Sequence, residues 1–395
     1  MIKQKDKDLR ILIINYEFPP LGGGGGIASY DLALEWAKKA KVDVLTSHFQ
    51  DLPFFETIEN INVHRVRILC RKSKDTATLI SMLTFLPGAF LKGLALFRKN
   101  KYNIINTHFA IPSGPVGFIL GKVFKTRNVL SLHGGDIYDP SKKLSPHRNF
   151  IFRIIVKFIL NKADRIVAQS NNTRYNAIRY YKTLKDIIII PLPFNPPDLS
   201  CISQSNTTID AKDFTLITIG RIIKRKAIDI IIKALADIDN IKIRFLIIGD
   251  GPEKKNLQSL ANELGVAKQV SFVGYLNNED KYRLLSASDL FILTSLHEGF
   301  GIVFMEAMFC GLPIICTNNG GQTDFLKDEE NAILIDVGDV RSCADAILRF
   351  YNDKALFKRC SENNTKKINN FYSANIAQRY TDIFYRLISG EKIDC

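Results

Sequence analysis

The sequence predicts an α/β protein built from two doubly wound domains, each a parallel sheet with helices on both faces. Its 395 residues are too many for one ordinary core and suit two domains of about 150–200 residues each. Short apolar runs alternate with longer amphipathic segments in both halves, which is the pattern of strands separated by helices. A proline cluster from Pro191 to Pro197 and the polar residues 200–212 interrupt this alternation. We therefore predict a domain boundary between residues 195 and 196, with a cleft between the domains.

Each buried-strand pattern is four to seven residues long. In the first half these patterns cover residues 10–16, 42–46, 61–66, 104–108, 128–132, 165–169 and 187–190. In the second half they cover residues 214–219, 242–248, 270–273, 290–293 and 313–316. Ligands of such sheets lie outside the carboxyl ends of the strands. Functional residues are therefore expected in the loops that follow strands.

The net charge of +14 favours a polyanionic partner. The sequence lacks the motifs of nucleic-acid-binding folds, so we expect no nucleic acid. Arg153 and Lys157 stand among bulky apolar residues in the segment 150–160. This segment is either a helix that lies on an anionic membrane or a core helix with two solvated cations, and the sequence leaves both open.

No transmembrane span is expected. The stretch Leu79 to Phe97 is long enough to cross a bilayer, but Pro87-Gly88 predicts a helix break within it. The seven cysteines are scattered and odd in number, and none form C-x-x-C, which indicates reduced thiols. The charged start MIKQKDKDLR predicts no signal peptide. We therefore expect a cytoplasmic protein, with peripheral contact to the inner face of the cytoplasmic membrane left open.

A glycine run, Gly22 to Gly26, follows the first strand and opens the first helix. Glycines such as Gly23 and Gly24 let backbone approach a phosphate, and a helix start supplies N–H groups to it. The run is not a nucleotide-binding P-loop, because no lysine follows it. A nicotinamide-dependent oxidoreductase stays open as an alternative, since Asp43 lies near the spacing of a ribose-binding acid. A flexible turn is the simpler interpretation.

Basic residues follow the first strand of the second half, in the segment Gly220 to Lys226. Arg221 offers a planar fork and Lys226 a point charge, so the two could clamp a diphosphate. The alternative is a solvated basic turn.

Two carboxylates, Glu298 and Glu306, follow the strand 290–293. Carboxylates accept hydrogen bonds from sugar and ribose hydroxyls. Between them, Gly299, Phe300 and Gly301 would present backbone N–H groups at a helix start. The simpler alternative is a helix-terminal charge and an exposed glutamate.

His133 ends a strand of the first half and could donate to a sugar hydroxyl, although lone histidines are often structural. His108 and His297 are weaker candidates. We expect neither a metal ion nor a cofactor, because no His, Cys and carboxylate cluster has ligand spacing. The two D-x-D sequences, at residues 6–8 and 237–239, lie away from the predicted cleft.

Taken together, these residues resemble the family-4 retaining glycosyltransferases of the GT-B fold, which has two Rossmann-like domains. The resemblance covers most of the chain and is densest from Pro191 to Asp339. Its motifs are Gly220-Arg221…Lys226, Gly249-Asp250-Gly251-Pro252, Ser288-Asp289…Thr294-Ser295, Glu298…Glu306, Gly311-Leu312-Pro313 and Gly338-Asp339. Ala227, Thr294 and Ser288 depart from the family's usual Gly, Pro and Ala.

The resemblance implies a role for each site residue. Arg221 and Lys226 would bind the donor diphosphate, Glu306 the ribose and Glu298 the donor sugar. Gly23 and Gly24 would close on the phosphates, His133 would lie beside the transferred sugar, and Gly274 and Tyr275 would lie near the base. The last helix, about residues 376–389, would return to the first domain. This implies an acceptor-side domain of residues 1–195 with 376–395, and a donor-binding domain of residues 196–375.

The expected activity is transfer of a hexosyl-type sugar, with retention and without a metal ion, from a UDP- or GDP-linked donor to a glycan or lipid-linked acceptor. The expected process is synthesis of a cell-surface polysaccharide or glycolipid. His133, Glu298, Arg221 and Lys226 are the predicted catalytic residues. Neither Asp136 nor Glu298 is convincing as a nucleophile, so a front-face substitution is favoured. The alternatives are an NAD-dependent oxidoreductase and a sugar-nucleotide-binding protein without turnover.

Overall fold

The computed structural model describes residues 9–74, 76–142, 144–197, 213–239 and 241–391. The chain divides into two compact units, Met1–Asn195 with Phe371–Cys395, and Pro196–Asn370. The division falls within the proline cluster. The polar stretch 200–212, which belongs to the predicted boundary segment, lies outside the described residues.

The first unit is an α/β unit with one sheet of eight described strands in the order β3-β4-β2-β1-β5-β6-β7-β8. Its strands are β1 (Arg10–Asn15), β2 (Lys41–Ser47), β3 (Phe55–Ile58), β4 (Ile61–Val66), β5 (Ile104–His108), β6 (Arg127–Leu132), β7 (Arg165–Ala168) and β8 (Ile187–Ile189). All described pairs are parallel except β3 with β4. The helices that connect the strands are α1 (Gly24–Ala37), α2 (Leu79–Lys99), α3 (Ser113–Phe124), α4 (Phe150–Lys162) and α5 (Asn171–Tyr181).

Helix α2 corrects the predicted break at Pro87-Gly88, because the helix continues through both residues. Phe85 and Ala89 on either side of Pro87 are fully buried in the core of the unit, so packing holds the helix where a backbone hydrogen bond is lost. Among the described residues, α2 is the one helix long and apolar enough to cross a membrane. One of its faces packs on β2, β4 and α3.

The second unit has a six-stranded sheet, all parallel over the described residues, in the order β11-β10-β9-β12-β13-β14. Its strands are β9 (Phe214–Ile219), β10 (Ile243–Ile248), β11 (Val270–Gly274), β12 (Leu290–Leu293), β13 (Ile314–Thr317) and β14 (Ile333–Ile335). Its helices are α6 (Ile228–Ala236), α7 (Lys254–Glu263), α8 (Asn278–Ser286), α9 (Ile302–Phe309), α10 (Val340–Asn352) and α11 (Lys354–Lys367).

The order of this sheet fixes where a ligand can bind. The strand order reverses between β9 and β12, which are neighbours in the sheet although two strands separate them in sequence. In open parallel sheets, this reversal leaves a crevice at the carboxyl ends of the two strands. The basic turn follows β9 and Glu298 follows β12, so both lie at this crevice. In the first unit the reversal lies between β1 and β5, and the glycine run follows β1.

The last helix, α12 (Ser373–Ser389), packs on α1 and belongs to the first unit, as predicted. The Trp36 indole donates to the Ala377 carbonyl at 3.3 Å and lies against Phe384 with ring centroids 5.2 Å apart. The returning segment begins at Phe371, five residues before the expected start at 376, since the Phe194 N–H donates to the Phe371 carbonyl.

Candidate functional site

The Lys226 and Glu298 side chains form the centre of the site in the second unit. Both are buried, and Lys226 Nζ lies 2.8 Å from Glu298 Oε1. Arg225 also approaches this oxygen at 3.3 Å and donates to the His297 carbonyl at 2.5 Å. The sequence pattern did not identify Arg225 as a site residue, although Arg225 belongs to the predicted basic turn. Two cations and one carboxylate therefore meet at the carboxyl edge of β9 and β12.

This cluster fixes the charge of Glu298. Burial alone raises the pKa of a carboxyl, but Lys226 and Arg225 outweigh it and lower the pKa of Glu298 to about 2. The carboxylate therefore stays charged above that pH and is a weak proton acceptor. Because its pKa is lower in the folded state, Glu298 stabilises the fold near neutral pH, and this contribution is lost as the pH falls from about 4.5 to about 2.

The loop that carries Glu298 is bonded to the neighbouring turns. The Thr317 hydroxyl donates to the Ser295 carbonyl at 2.7 Å, and the Gly321 N–H donates to the Glu298 carbonyl at 2.8 Å. At Gly320 φ is +128°, and an added Cβ would lie 2.4 Å from the Glu298 carbonyl oxygen. Gly320 is thus a site residue that the sequence analysis missed, and its lack of a side chain lets the two loops touch.

Two residues that depart from the family pattern, Ala227 and Thr294, are hydrogen-bonded to each other. Ala227, where the family usually has Gly, adopts a left-handed conformation with φ of +47°. Thr294, where Pro is frequent, donates its hydroxyl to the Ala227 carbonyl at 2.8 Å. The turn keeps the backbone geometry that favours glycine, and the Thr294 hydroxyl satisfies its buried carbonyl.

Arg221 and Lys226, predicted to act together, have different surroundings. Lys226 is buried and ion-paired, whereas Arg221 is exposed and has no side-chain partner among the described residues. The loop under Arg221 is closely packed, because a Cβ on Gly249 would lie 2.1 Å from the Gly220 carbonyl oxygen. Of the two predicted cations, Arg221 is therefore the one that is free to meet an incoming anion.

Glu306 lies on α9 and is paired with a residue that the sequence analysis did not identify. Lys281 of α8 donates to Glu306 Oε1 at 2.6 Å, and both side chains are largely buried. One carboxylate oxygen is thus engaged by Lys281. The second oxygen has no hydrogen-bond partner among the described residues and can accept from a hydroxyl.

Gly299, Phe300 and Gly301 lie between the two glutamates at the start of α9. Gly301 precedes the helix with φ of +92°, a conformation that favours glycine. The Phe300 ring is buried against Phe325, with ring centroids 4.7 Å apart, so only the backbone of Phe300 can serve a ligand.

Of the two residues predicted near the base, Gly274 ends β11 and Tyr275 follows it. Gly274 has φ of +85°, and its carbonyl accepts from the Gly249 N–H at 2.8 Å. Tyr275 is 66 % exposed. Both lie at the same edge of the sheet as the basic turn.

In the first unit, the glycine run holds a carboxylate of its own chain. The Gly23 N–H donates to Glu17 Oε2 at 3.2 Å, and α1 begins at Gly24. A Cβ on Gly25 would lie 2.4 Å from the Phe109 ring and 3.2 Å from the His133 ring. The run therefore packs directly on the predicted histidine. Glu17 lies two residues beyond the end of β1 at Asn15, but nothing in the sequence pattern connected it with the glycines.

Hydrogen bonds fix the tautomer of His133. His108 Nε2 lies 2.8 Å from Asn106 Oδ1, an acceptor, so His108 donates there and its Nδ1 accepts. His133 Nε2 lies 2.9 Å from His108 Nδ1 and therefore carries the proton. His133 Nδ1 is left as an acceptor with no partner among the described residues. The donor role that we predicted for His133 does not fit this geometry, which suits a hydroxyl that donates to Nδ1.

We expect the His133 ring to remain neutral, with its proton on Nε2, from pH 5 to 8. Burial lowers the pKa of His133 to about 3, which is below its ordinary value. Because the folded pKa is the lower one, this histidine costs stability as the pH falls from about 6.5 to about 3. Two-dimensional ¹⁵N NMR of the ring nitrogens checks this. A titration of His133 near pH 6.5, or a proton on Nδ1, would contradict the assignment.

Asp136 supports the histidine loop. Its two carboxylate oxygens accept from the Ala110 N–H at 2.7 Å and from the His133 N–H at 3.0 Å. Burial raises the pKa of Asp136 to about 6. A carboxylate that is buried and engaged through both oxygens is poorly placed to act as a nucleophile.

The acidic residues that we considered for an NAD site or a metal site do not form such sites among the described residues. Asp43 lies within β2, where His64 Nε2 contacts one of its oxygens and the Tyr102 hydroxyl donates to the other, both at 3.0 Å. Such an acid is not available at a strand end for a ribose. Residues 6–8 lie outside the described residues, and Asp237 ends α6. No group of three metal-ligating side chains occurs within the described ranges.

Comparison with known proteins identifies the family. The profile described as Glycosyltransferase Family 4 matches residues 22–196, and that described as Glycosyl transferases group 1 matches residues 202–367. The N-acetyl-alpha-D-glucosaminyl L-malate synthase of Bacillus anthracis is 26 % identical, over 94 % of this chain and 96 % of its own length. The D-inositol 3-phosphate glycosyltransferase of Rhodococcus jostii is 25 % identical, over 83 % of this chain and 78 % of its own length.

Solved structures agree with the fold. A sucrose-phosphate synthase from Thermosynechococcus elongatus has a TM-score of 0.83 and 23 % identity, covering 97 % of this chain and 100 % of its own. HepE from Anabaena, solved with UDP-glucose, has a TM-score of 0.74 and 21 % identity, covering 95 % of this chain and 99 % of its own. The chain therefore belongs to the family-4 glycosyltransferases of the GT-B fold, and its activity is glycosyl transfer.

Proposed function

We propose that this glycosyltransferase takes a hexosyl-type sugar from a UDP- or GDP-linked donor and transfers it, with retention and without a metal ion, to a glycan or lipid-linked acceptor. The observation that carries the proposal is the buried Lys226–Glu298 pair at the switch point of the second sheet, with Arg221 exposed in the same basic turn as Lys226. A diphosphate leaving group develops negative charge as the glycosidic bond breaks. Fixed cations at that position stabilise it in the way that a metal ion does elsewhere.

The geometry of the acids favours a front-face substitution. Glu298 has its pKa lowered to about 2, and Asp136 accepts two backbone N–H groups, so neither suits a nucleophile or a general base. In the proposed step, the acceptor oxygen bonds to the anomeric carbon while the bond from that carbon to the diphosphate breaks. The acceptor proton passes to a diphosphate oxygen, and the products are the glycoside and the nucleoside diphosphate. Attack from the leaving-group side retains the configuration.

The relatives support a nucleotide-sugar donor but differ in sugar and acceptor. Their names give an N-acetylglucosaminyl transfer to malate and a transfer to inositol phosphate, and HepE was solved with UDP-glucose. LpsD of Rhizobium meliloti, a lipopolysaccharide core glycosyltransferase, is 32 % identical over 47 % of this chain and 53 % of its own length. We propose synthesis of a cell-surface polysaccharide or glycolipid in the cytoplasm, at the membrane. An NAD-dependent oxidoreductase is disfavoured by the engaged Asp43.

Calorimetric titration of UDP and GDP in EDTA tests the donor site. We expect one nucleotide to bind the wild type, and Arg221→Ala to weaken it about tenfold or more, because a charge-assisted hydrogen bond to the diphosphate is lost. Lys268→Ala is the matched control, since Lys268 is exposed and precedes β11 at the opposite edge of the sheet. Binding of neither nucleotide, or equal weakening by both variants, would reject this site. Binding that requires a metal ion would reject the metal-free proposal.

A further inference from the structure

The excess positive charge of this protein is confined to one stretch of the first unit. Residues 76–182 contain 17 Lys or Arg against 3 Asp and no Glu, an excess equal to the net charge of +14 of the whole chain. The helices α2, α3, α4 and α5 lie in this stretch and contain no acidic residue. A solvated surface of a soluble protein normally mixes both signs of charge. This segregation indicates an anionic partner for these helices.

The same helices expose bulky apolar side chains among the cations. On α4, Phe150, Ile151 and Ile154 are 76 %, 64 % and 52 % exposed. The neighbouring helix α3 exposes Ile119 and Val123, and the two helices meet where Phe118 packs edge-on against the half-exposed Phe158. These five exposed residues and Phe158 form what we name the α3–α4 surface. Exposed apolar side chains that are grouped on two neighbouring helices mark an interaction site.

A basic cavity adjoins the α3–α4 surface. It has a volume of about 460 Å³ and is lined by Lys122, Lys125, Arg127 and Lys162, with Asp164 as the acidic residue. Arg127 is paired with Asp164 at 2.9 Å, whereas the three lysines have no ion-pair partner among the described residues. Lys162 Nζ also lies 5.9 Å from the centre of the Phe158 ring, so cavity and surface are continuous.

We propose that the α3–α4 surface docks onto an anionic lipid bilayer, with the basic cavity taking the phosphate of a lipid headgroup. The apolar side chains enter the boundary between headgroups and acyl chains, and the lysines meet the negative surface. Nucleic acid supplies phosphates but offers no apolar layer for Phe150, Ile151 and Ile154. This docking is independent of the donor site. If the proposed glycosyl transfer also holds, the acceptor is lipid-linked and is met at the membrane surface.

Vesicle flotation at low salt tests the docking. The full chain is mixed with vesicles of phosphatidylcholine alone or with about 30 % phosphatidylglycerol, which makes the vesicle surface negative. We expect flotation with the anionic vesicles only, and release as salt is raised. Phe150→Ser/Ile151→Ser/Ile154→Ser should lower the partition coefficient at least tenfold. Lys122→Gln/Lys162→Gln should lower it about 25-fold, at roughly fivefold for each cation.

Two matched variants and three further measurements keep the test decisive. Lys255→Gln/Lys358→Gln removes two exposed lysines of the second unit, and Leu264→Ser removes an exposed apolar residue there. Neither should change flotation. No flotation with anionic vesicles, or equal loss in the control variants, overturns the proposal. So does sedimentation equilibrium that shows a dimer abolished by the triple substitution, or duplex DNA that binds as tightly as the vesicles. Nucleotide affinity should not change in any of these variants, which separates this test from that of the donor site.

Discussion

Replacing Lys226 by Ala should lower the rate of donor turnover at least about 100-fold, because one preorganised cation at a developing charge contributes that much or more. The ammonium lies 2.8 Å from Glu298 and is held beside Gly220, where an added Cβ would lie 3.2 Å from Lys226 Cε. Its position is thus set by the protein before any donor binds. Release of UDP or GDP from a panel of nucleotide sugars, measured in EDTA, gives the rate.

The control for Lys226→Ala lies two residues away. Lys224 is in the same turn but is exposed and has no ion-pair partner among the described residues, so Lys224→Ala should retain most of the activity. Lys226→Ala also leaves the buried Glu298 with Arg225 as its remaining cationic partner among the described residues, and should destabilise the fold by about 3 kcal/mol. The double variant Lys226→Ala/Glu298→Gln should regain part of that stability and none of the activity. Full activity of Lys226→Ala would show that Lys226 is not needed for turnover. Equal losses at both lysines would show that the turn acts only through its overall charge.

Gly320→Ala should disable the site, although Gly320 has no side chain that could take part in the reaction. The residue has φ of +128°, and an added Cβ would lie 2.4 Å from the Glu298 carbonyl oxygen and 2.6 Å from Gln322 Oε1. Glu298 and its loop must move, which separates the carboxylate from Lys226. We expect a loss of about 3 kcal/mol of folding free energy, from strain and clash together, and a drop in turnover at least as large as that of Glu298→Gln. Chemical denaturation and the donor assay measure the two effects.

Gly338→Ala is the matched control for backbone strain. It also has a positive φ, of +82°, but an added Cβ would meet no atom within 4 Å. This substitution should cost about 1 kcal/mol, the penalty of the left-handed conformation alone, and leave turnover unchanged. Equal effects at Gly320 and Gly338 would mean that the contact with the Glu298 loop is unimportant.

Most of the fold was predictable because buried parallel strands are short, nearly continuous apolar runs. Strands such as Phe214–Ile219 and Leu290–Leu293 match the predicted bounds. The two missed strands have weaker patterns. β3 is a half-exposed edge strand of four residues with alternating sides, and β14 has three residues. The continuity of α2 through Pro87 depends on packing by Phe85 and Ala89, which a local pattern does not contain.

The motif residues of the candidate site could be predicted from the sequence, but the residues that pair with them could not. Loops after parallel strands meet at one edge of a sheet, so Lys226 and Glu298 could be expected near each other. Lys281, which binds Glu306, stands in an ordinary polar helix with no distinguishing signal. The tautomer of His133 depends on a chain of hydrogen bonds through His108 to Asn106, and only the folded strands bring these together.

A crystal structure of the protein with UDP or GDP, whichever binds, would show where the donor diphosphate lies. We expect diphosphate oxygens within about 3.5 Å of Lys226 Nζ and the Arg221 guanidinium, with the ribose hydroxyls donating to Glu306. The base should lie near Gly274 and Tyr275. A nucleotide bound elsewhere, with Lys226 and Glu298 still paired and no phosphate beside them, would contradict the donor site proposed for this glycosyltransferase.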